Sequence, residues 1–336
     1  MTVNRRHMLG LGGAAAAGVV LGSASPASAE EEIVATDAAS ANRKIARVYA
    51  RETYRAQGTW SSYIGVAGAS APAVEDRADE VVEAYSVNKI AVATAVLDKV
   101  DRGLLTLDQR VDVTAGIVIK DTDGIFGLDG AYPSSVTLGH AMAALLTLSD
   151  NTAVRLCGLV CPAAELNEIL RAKGFVHTQV VPVANPNRFF LGTTTPRETY
   201  DLLQKLVGGT LLSPASTEYL LNVLRSLSSF TDGIRLNLSS DERLRVATKA
   251  GWFNDGRNEA GIVFDTEGKP MITYSLFASG PFTGDAAAND TNFGATHPAL
   301  RARQAIGRTL VDSVGRFSAP AALTFKARAY RPSNGG

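Results

Sequence analysis

Apolar and polar positions alternate along the chain in three styles. Residues 38–57 bring Ile45, Val48, Tyr49 and Tyr54 broadly onto one face at helical spacing and predict a helix. Residues 60–68 read as a strand that ends at Gly68-Ala69-Ser70-Ala71-Pro72, and a shorter strand is expected within 81–84. From Ser86 to about residue 207 the pattern turns helical. Loops are expected there at 121–130 and 183–195, an apolar helix at 138–148, and a helix at 163–173 closed by Gly174. After a helix over roughly 214–227, strand patterns return at 244–252, 259–265 and 271–279, with Glu267-Gly268-Lys269 as the turn between the last two. An amphipathic helix over 297–314 closes the pattern, and the tail from Ser318 reads as loosely ordered.

Helix, strands, a long helical block, three strands and a helix predict an α/β chain of the α+β type. Its antiparallel sheet is flanked by helices and interrupted by an inserted all-helical subdomain. The sheet part would take in about 30–85 and 240–318, the helical part about 86–239, and a C-terminal tail 319–336.

The first residues change that picture, because they read as an address. Arg5-Arg6 precede an apolar, Gly- and Ala-rich run from Gly10 to Gly22, and Ala27-Ser28-Ala29 offers a small-residue cleavage site. Paired arginines before a weakly hydrophobic run predict a twin-arginine-type signal over 1–29, and hence a secreted or periplasmic bacterial protein with no membrane association after its removal. The Gly-rich stretch inside this signal is therefore not a nucleotide loop. Formal net charge is zero and no basic cluster is interleaved with aromatics, so composition gives no argument for nucleic acid. The two cysteines, Cys157 and Cys161, could pair in an oxidising compartment, although four residues apart on one helix is poor disulfide geometry. Neither they nor the four scattered histidines have metal-ligand spacing, so no metal or cofactor is expected.

Three short motifs carry the chemistry. Ser86 and Lys89 lie three residues apart at the start of an apolar helix, where a hydroxyl and an amine are neighbours. Serine is a weak nucleophile until a base takes its proton, and a lysine in a partly dry site can be that base. Ser149-Asp150-Asn151 follows the apolar helix of the middle block, and Lys249-Ala250-Gly251 lies on the first strand after it. No Gly-x-Ser-x-Gly is present to indicate a Ser-His-Asp hydrolase.

In this order the motifs resemble those of class A β-lactamases and related penicillin-recognising serine enzymes. The likeness extends to Asp101-Arg102-Gly103-Leu104-Leu105-Thr106-Leu107-Asp108, to Thr194-Thr195-Pro196-Arg197-Glu198, and to Ala260-Gly261-Ile262-Val263, covering nearly all of the mature chain. The resemblance implies Ser86 as acylated nucleophile, Lys89 as its base, Ser149 as proton relay and Lys249 as a positive charge beside it. It also implies Asn151, Gly251 and Trp252 at the substrate, with the Ser86 and Trp252 backbone N–H groups as the oxyanion hole. Asp150 reads as structural, holding its turn through backbone bonds.

The chain departs from that family in three places. The stretch that should carry the loop glutamate reads Val181-Pro182-Val183-Ala184-Asn185-Pro186-Asn187, so Asn185 stands in its place, and an amide is no general base. Ala250 lacks the hydroxyl, and Ala260 the guanidinium, that would bind a β-lactam carboxylate. Arg235 is either a compensating clamp or a solvated surface arginine. Glu198, at a helix start, reads as a capping residue. The expected activity is an exported, monomeric serine hydrolase that acylates on a small amide or lactam. The alternatives are a transacylase or D,D-peptidase, and a penicillin-binding pseudoenzyme that does not turn over.

Overall fold

The computed structural model describes residues 33–128, 130–230, 233–315, 317, 323–331 and 333. The signal segment at 1–29 and, in the tail, residues 318–322, 332 and 334–336 lie outside the described residues. Helix α1 (Ala38–Ala56) begins at Asp37, whose carboxylate accepts the Ser40 N–H at 2.7 Å. It runs into strand β1 (Gln57–Val66), earlier than the pattern predicted, through a left-handed Gln57. The short β2 (Val74–Asp76) pairs with β1. Three long strands after the helical block, β8 (Val246–Phe253), β9 (Gly256–Phe264) and β10 (Pro270–Phe282), complete an antiparallel sheet in the order β2-β1-β10-β9-β8.

The sheet is covered on both faces, which is why its central strands read as nearly continuous apolar runs. Val263 and Ile272 point to one side, where they share a core with Ile45 and Tyr49 of α1 and Leu310 of α10 (Pro298–Val314). Ile262, Phe264 and Phe277 point to the other side, into the core of the helical block. That second core gathers Val92 and Val96 of α2 (Lys89–Asp101) and Leu145 of α3 (Leu138–Thr147). Leu166 of α5 (Ala163–Ala172), Leu203 of α6 (Pro196–Val207) and Leu221 of α7 (Pro214–Leu224) complete it. The site lies where the edge strand β8 passes the start of α2.

The middle block is less purely helical than its pattern predicted. The strand expected within 81–84 is β3 (Val82–Glu83), which leads into the block; inside it β4 (Arg110–Val113) pairs with β5 (Ser134–Thr137). Residues 179–194 form a hairpin, β6 (Gln179–Pro182) and β7 (Phe189–Thr194), where the sequence predicted a loop over 183–195. β7 also pairs with β3, giving a second small sheet. The two cysteines are unpaired and buried: α4 (Asn151–Val160) carries Cys157, and Cys161 caps it. Among the described residues, no helix is long and apolar enough to cross a membrane.

Candidate active site

Ser86 lies in a turn of 3-10 helix, Tyr85–Asn88, that leads into α2. In that geometry residues i and i+3 eclipse, which sets Ser86 and Lys89 one above the other. Three ties hold the turn. The Ala84 N–H donates to the Gly192 carbonyl at 2.9 Å, and the Asn88 amide donates to the Leu191 and Thr193 carbonyls at 2.7 and 2.8 Å. From the other side β8 passes so close that a Cβ on Gly251 would lie 2.7 Å from the Ser86 nitrogen. Tyr85, just before Ser86, is left-handed at φ +48°, and its ring lies over Gly256.

The Lys89 amine is fully buried. It donates to the Ser149 Oγ at 3.0 Å, to the Asn151 Oδ1 at 2.8 Å and to the Ser149 carbonyl, rather than to Ser86. Lys249 comes from β8 and donates to the same Ser149 Oγ at 3.0 Å. Two amines thus converge on one hydroxyl. Burial first, and the neighbouring Lys249 charge second, hold the Lys89 amine well below the ordinary lysine range, against the pull of Asp123 and Asp150. A lysine so placed gives up its proton readily and can serve as a base.

Ser149 is itself left-handed, at φ +54°, a conformation set by its neighbours. Asp150 caps α4 by accepting the Ala153 N–H at 2.9 Å, and its other oxygen accepts the Ile125 and Phe126 N–H groups at 2.6 and 3.0 Å. Its structural role matches the expectation. This one carboxylate fixes the Ser149–Asn151 turn and pins the segment after Asp121 against it.

Above Ser86 opens a cleft of about 1250 Å³. Tyr85, Trp252 and Phe253 form one side, Phe190 to Thr193 of the β6–β7 hairpin another, and Asp121 to Asp123 with Asn151 a third. Phe293 and Asp290 close the end. The rings stack along the wall: Tyr85 on Phe253 with centroids 5.9 Å apart, and Trp252 between Phe230 and Phe293 at 5.3 and 6.2 Å.

Of the predicted site residues, Ser86, Lys89, Ser149, Asn151, Lys249, Gly251 and Trp252 come together at this cleft. Two do not. Asn185 lies at the hairpin tip, in a separate depression with Gly116, Arg155 and Arg188, because pairing of β6 with β7 carries residues 183–188 away from Ser86. Arg235 is neither a clamp in the cleft nor a surface residue. It is fully buried, donates to the Ser226 carbonyl at 3.0 Å, and burial pushes its pKa down to about 10. Glu198 is engaged as a helix-start residue. Burial alone would raise its carboxyl, but hydrogen bonds from Thr178 and His177 outweigh that and hold it low. Ala260 pairs directly with Lys249 across β8 and β9, so the missing guanidinium is missing at the site itself.

The sequence reading missed the hairpin wall, Tyr85, Asp123 and the Asp290–Phe293 end. The hairpin had a signal: Val180-Val181 and Phe189-Phe190-Leu191 are β-prone runs on either side of Asn185-Pro186-Asn187, a turn composition. The approach of the other positions to the site is set by tertiary packing.

A model of the beta-lactamase enzyme family matches residues 40–314. Among solved structures, the chain is similar to a beta lactamase from Xanthomonas campestris pv. campestris, with 23% identity over 82% of this chain and 99% of that one, at a TM-score of 0.66. It is also similar to an ancestral class A beta-lactamase, with 23% identity over 80% and 99% of the two chains and a TM-score of 0.65. PBP-A shares the fold at 21% identity, covering 82% and 94%, with a TM-score of 0.63. A mutant of PBP-A, described as an acyl-enzyme complex with penicillin-G, matches at 20% identity over 82% and 95% with a TM-score of 0.62. No curated protein matches the chain. The family match spans both parts of the sheet and the helical block between them, with the three motifs inside it, and on that ground the chain belongs to the beta-lactamase enzyme family.

Proposed function

We propose that this protein is an exported serine hydrolase that forms an acyl-enzyme through Ser86 on a small amide or lactam. The convergence of Lys89, one turn from Ser86, and of Lys249 on the Ser149 hydroxyl is the observation that carries this reading. Ser86 Oγ attacks the carbonyl carbon as its proton passes to neutral Lys89. The C–N bond then breaks, and the proton moves through Ser149 to the leaving nitrogen. The Ser86 and Trp252 N–H groups receive the developing oxyanion, a role supported by the close approach of Gly251 to the Ser86 nitrogen. Asn151, braced between Lys89 and the Thr122 hydroxyl at 2.6 Å, presents its amide to the substrate.

Water must then cleave the acyl-enzyme. The hairpin lines the cleft with Val181, Phe190, Leu191, Gly192 and Thr193, none of them acidic. That observation favours a second reading, a long-lived acyl-enzyme that is released slowly or passed to another acceptor as in a transacylase or D,D-peptidase. Export is supported by Arg5-Arg6 and the apolar run after them.

Intact mass after incubation with nitrocefin or a fluorescent penicillin separates the readings. Fast hydrolysis with no adduct supports the hydrolase. A lasting adduct that is absent in Ser86→Ala supports the slow enzyme, and the absence of both hydrolysis and adduct removes β-lactams as substrates. A 4-nitrophenyl acetate burst that disappears in Ser86→Ala tests the nucleophile with a substrate that carries no charge. The mass of the secreted form, expected to begin near Glu30, tests the signal.

A further inference from the structure

We propose that the cleft over Ser86 selects substrates that carry an aromatic group and a free ammonium where a β-lactam carries its carboxylate. This rests on the reading of Ser86 as the acylated residue, and it adds the substrate's charge and shape. Three independent observations lead to it. The first is the wall. Phe190 and Phe253 are 69% and 60% exposed while facing the same cleft as Tyr85, Trp252 and Phe293, so large rings stand open to an apolar or cationic guest. Aromatic faces attract ammonium groups as well as burying hydrocarbon.

The second is charge. Glu83, Asp121, Asp123 and Asp290 line the cleft, and among its described lining residues there is no lysine or arginine. None of the four carboxylates is in an ion pair with a described residue; the acidic groups of the surface pairs lie elsewhere, as in Arg197 with Asp79 and Lys99 with Glu165. Asp123 is half-buried, and burial holds its pKa above the usual carboxylate range despite Lys89 and Lys249 nearby. Asp123 lies near the buried Lys89 and Lys249, and Asp290 near Arg257, which itself covers Phe293. The exposed Glu83 and Asp121 add negative charge to the open cleft, and such a lining favours a cation over another anion.

The third is what is missing. Methyl groups at Ala250 and Ala260 stand where a carboxylate would need a hydroxyl and a guanidinium, and Arg235 spends its bond on Ser226 in the interior. Lys89 and Lys249 lie beneath the cleft and already donate to Ser149, Asn151 and the Ala250 carbonyl. A carboxylate bound in the cleft would meet four like charges with no clamp of its own.

Trp252 makes the idea testable without turnover. The chain has two tryptophans, and the other, Trp60, is buried away from the cleft. The mature protein is titrated with 4-phenylbutylammonium and with 4-phenylbutyrate, matched in size and opposite in charge. The Trp252 fluorescence is read, and Trp252→Phe confirms its source. The ammonium is expected to bind at least about tenfold more tightly at low salt. The gap is expected to narrow at about 1 M salt, where screening acts within about 3 Å. It is also expected to narrow severalfold in the double variant Asp121→Asn/Asp290→Asn. Equal binding, tighter carboxylate binding, no binding of either probe at millimolar concentration, or a gap indifferent to salt and to the variant each overturns the proposal. The 4-nitrophenyl acetate burst stands apart: a Ser86-dependent burst without ammonium preference removes only the substrate inference. Ammonium preference without a burst removes the acyl-enzyme reading instead.

Discussion

Replacing Lys249 by glutamine removes one positive charge while keeping a donor beside Ser149, and the reaction's pH dependence should report the change. Both lysine amines lie 3.0 Å from the Ser149 hydroxyl, so they are no more than about 6 Å apart. At an effective dielectric constant of about 20, two like charges at that distance repel by about 3 kcal/mol, a factor of about 100 in the balance between protonated and neutral Lys89. Only the neutral amine accepts a proton from Ser86, so acylation falls as pH drops and Lys89 becomes charged. In the native enzyme burial and Lys249 both favour the neutral form, so the rising limb lies well below the ordinary lysine range. In Lys249→Gln burial remains and the repulsion is gone, so the limb moves to higher pH. The assay is the 4-nitrophenyl acetate burst rate in stopped flow from mildly acid to alkaline pH. On the acid side the variant should be slower by about 100-fold, with a smaller deficit on the alkaline plateau. Two limbs at the same pH that differ only in height would show that Lys89 is not the base, or that Lys249 does not act on it.

Other changes follow from the same geometry. Gly251→Ala would set a methyl group 2.7 Å from the Ser86 nitrogen and 2.8 Å from that of Val87. Both contacts are backbone, so β8 must retreat from the proposed oxyanion donors, and the burst rate should fall by about 100-fold or more while circular dichroism is retained. Asp150→Ala removes the acceptor of three backbone N–H groups. Urea unfolding should show a loss of about 3 to 5 kcal/mol. Burial pushes the thiols of Cys157 and Cys161 up to about 12, so a thiol reagent should leave the native protein unlabelled and modify two thiols after unfolding.

Much of this site could be read from residue order, because its chemistry sits in contiguous motifs. Ser86 and Lys89 share one turn, Ser149 and Asn151 another, and Lys249 and Gly251 one strand. Each motif names its own local geometry. What escaped was whatever depends on how separate segments meet. Asn185 looked placed for the cleft by its rank in the chain, but strand pairing turned its loop outward. Arg235 could be judged only as exposed or engaged, and it proved to be packed behind β8 with the buried Tyr274 and Glu259. The short strands β4 to β7 sit among helices, where runs of four to six residues carry little period to detect. The sheet itself was legible because its strands are long and bounded by clear turns.

Tyr85 has a consequence for how this protein would evolve. A left-handed tyrosine costs about 1 kcal/mol relative to a residue at ease there, and glycine at this position would recover it. The ring it would forfeit covers Gly256, leans on Phe253 and forms part of the cleft. Packing of that ring is worth at least as much as the eased angle would return, so Tyr85→Gly would open the cleft wall without a gain in stability. At this position a single strained backbone angle is what sets an aromatic ring at the wall of the cleft, next to the serine proposed to be acylated.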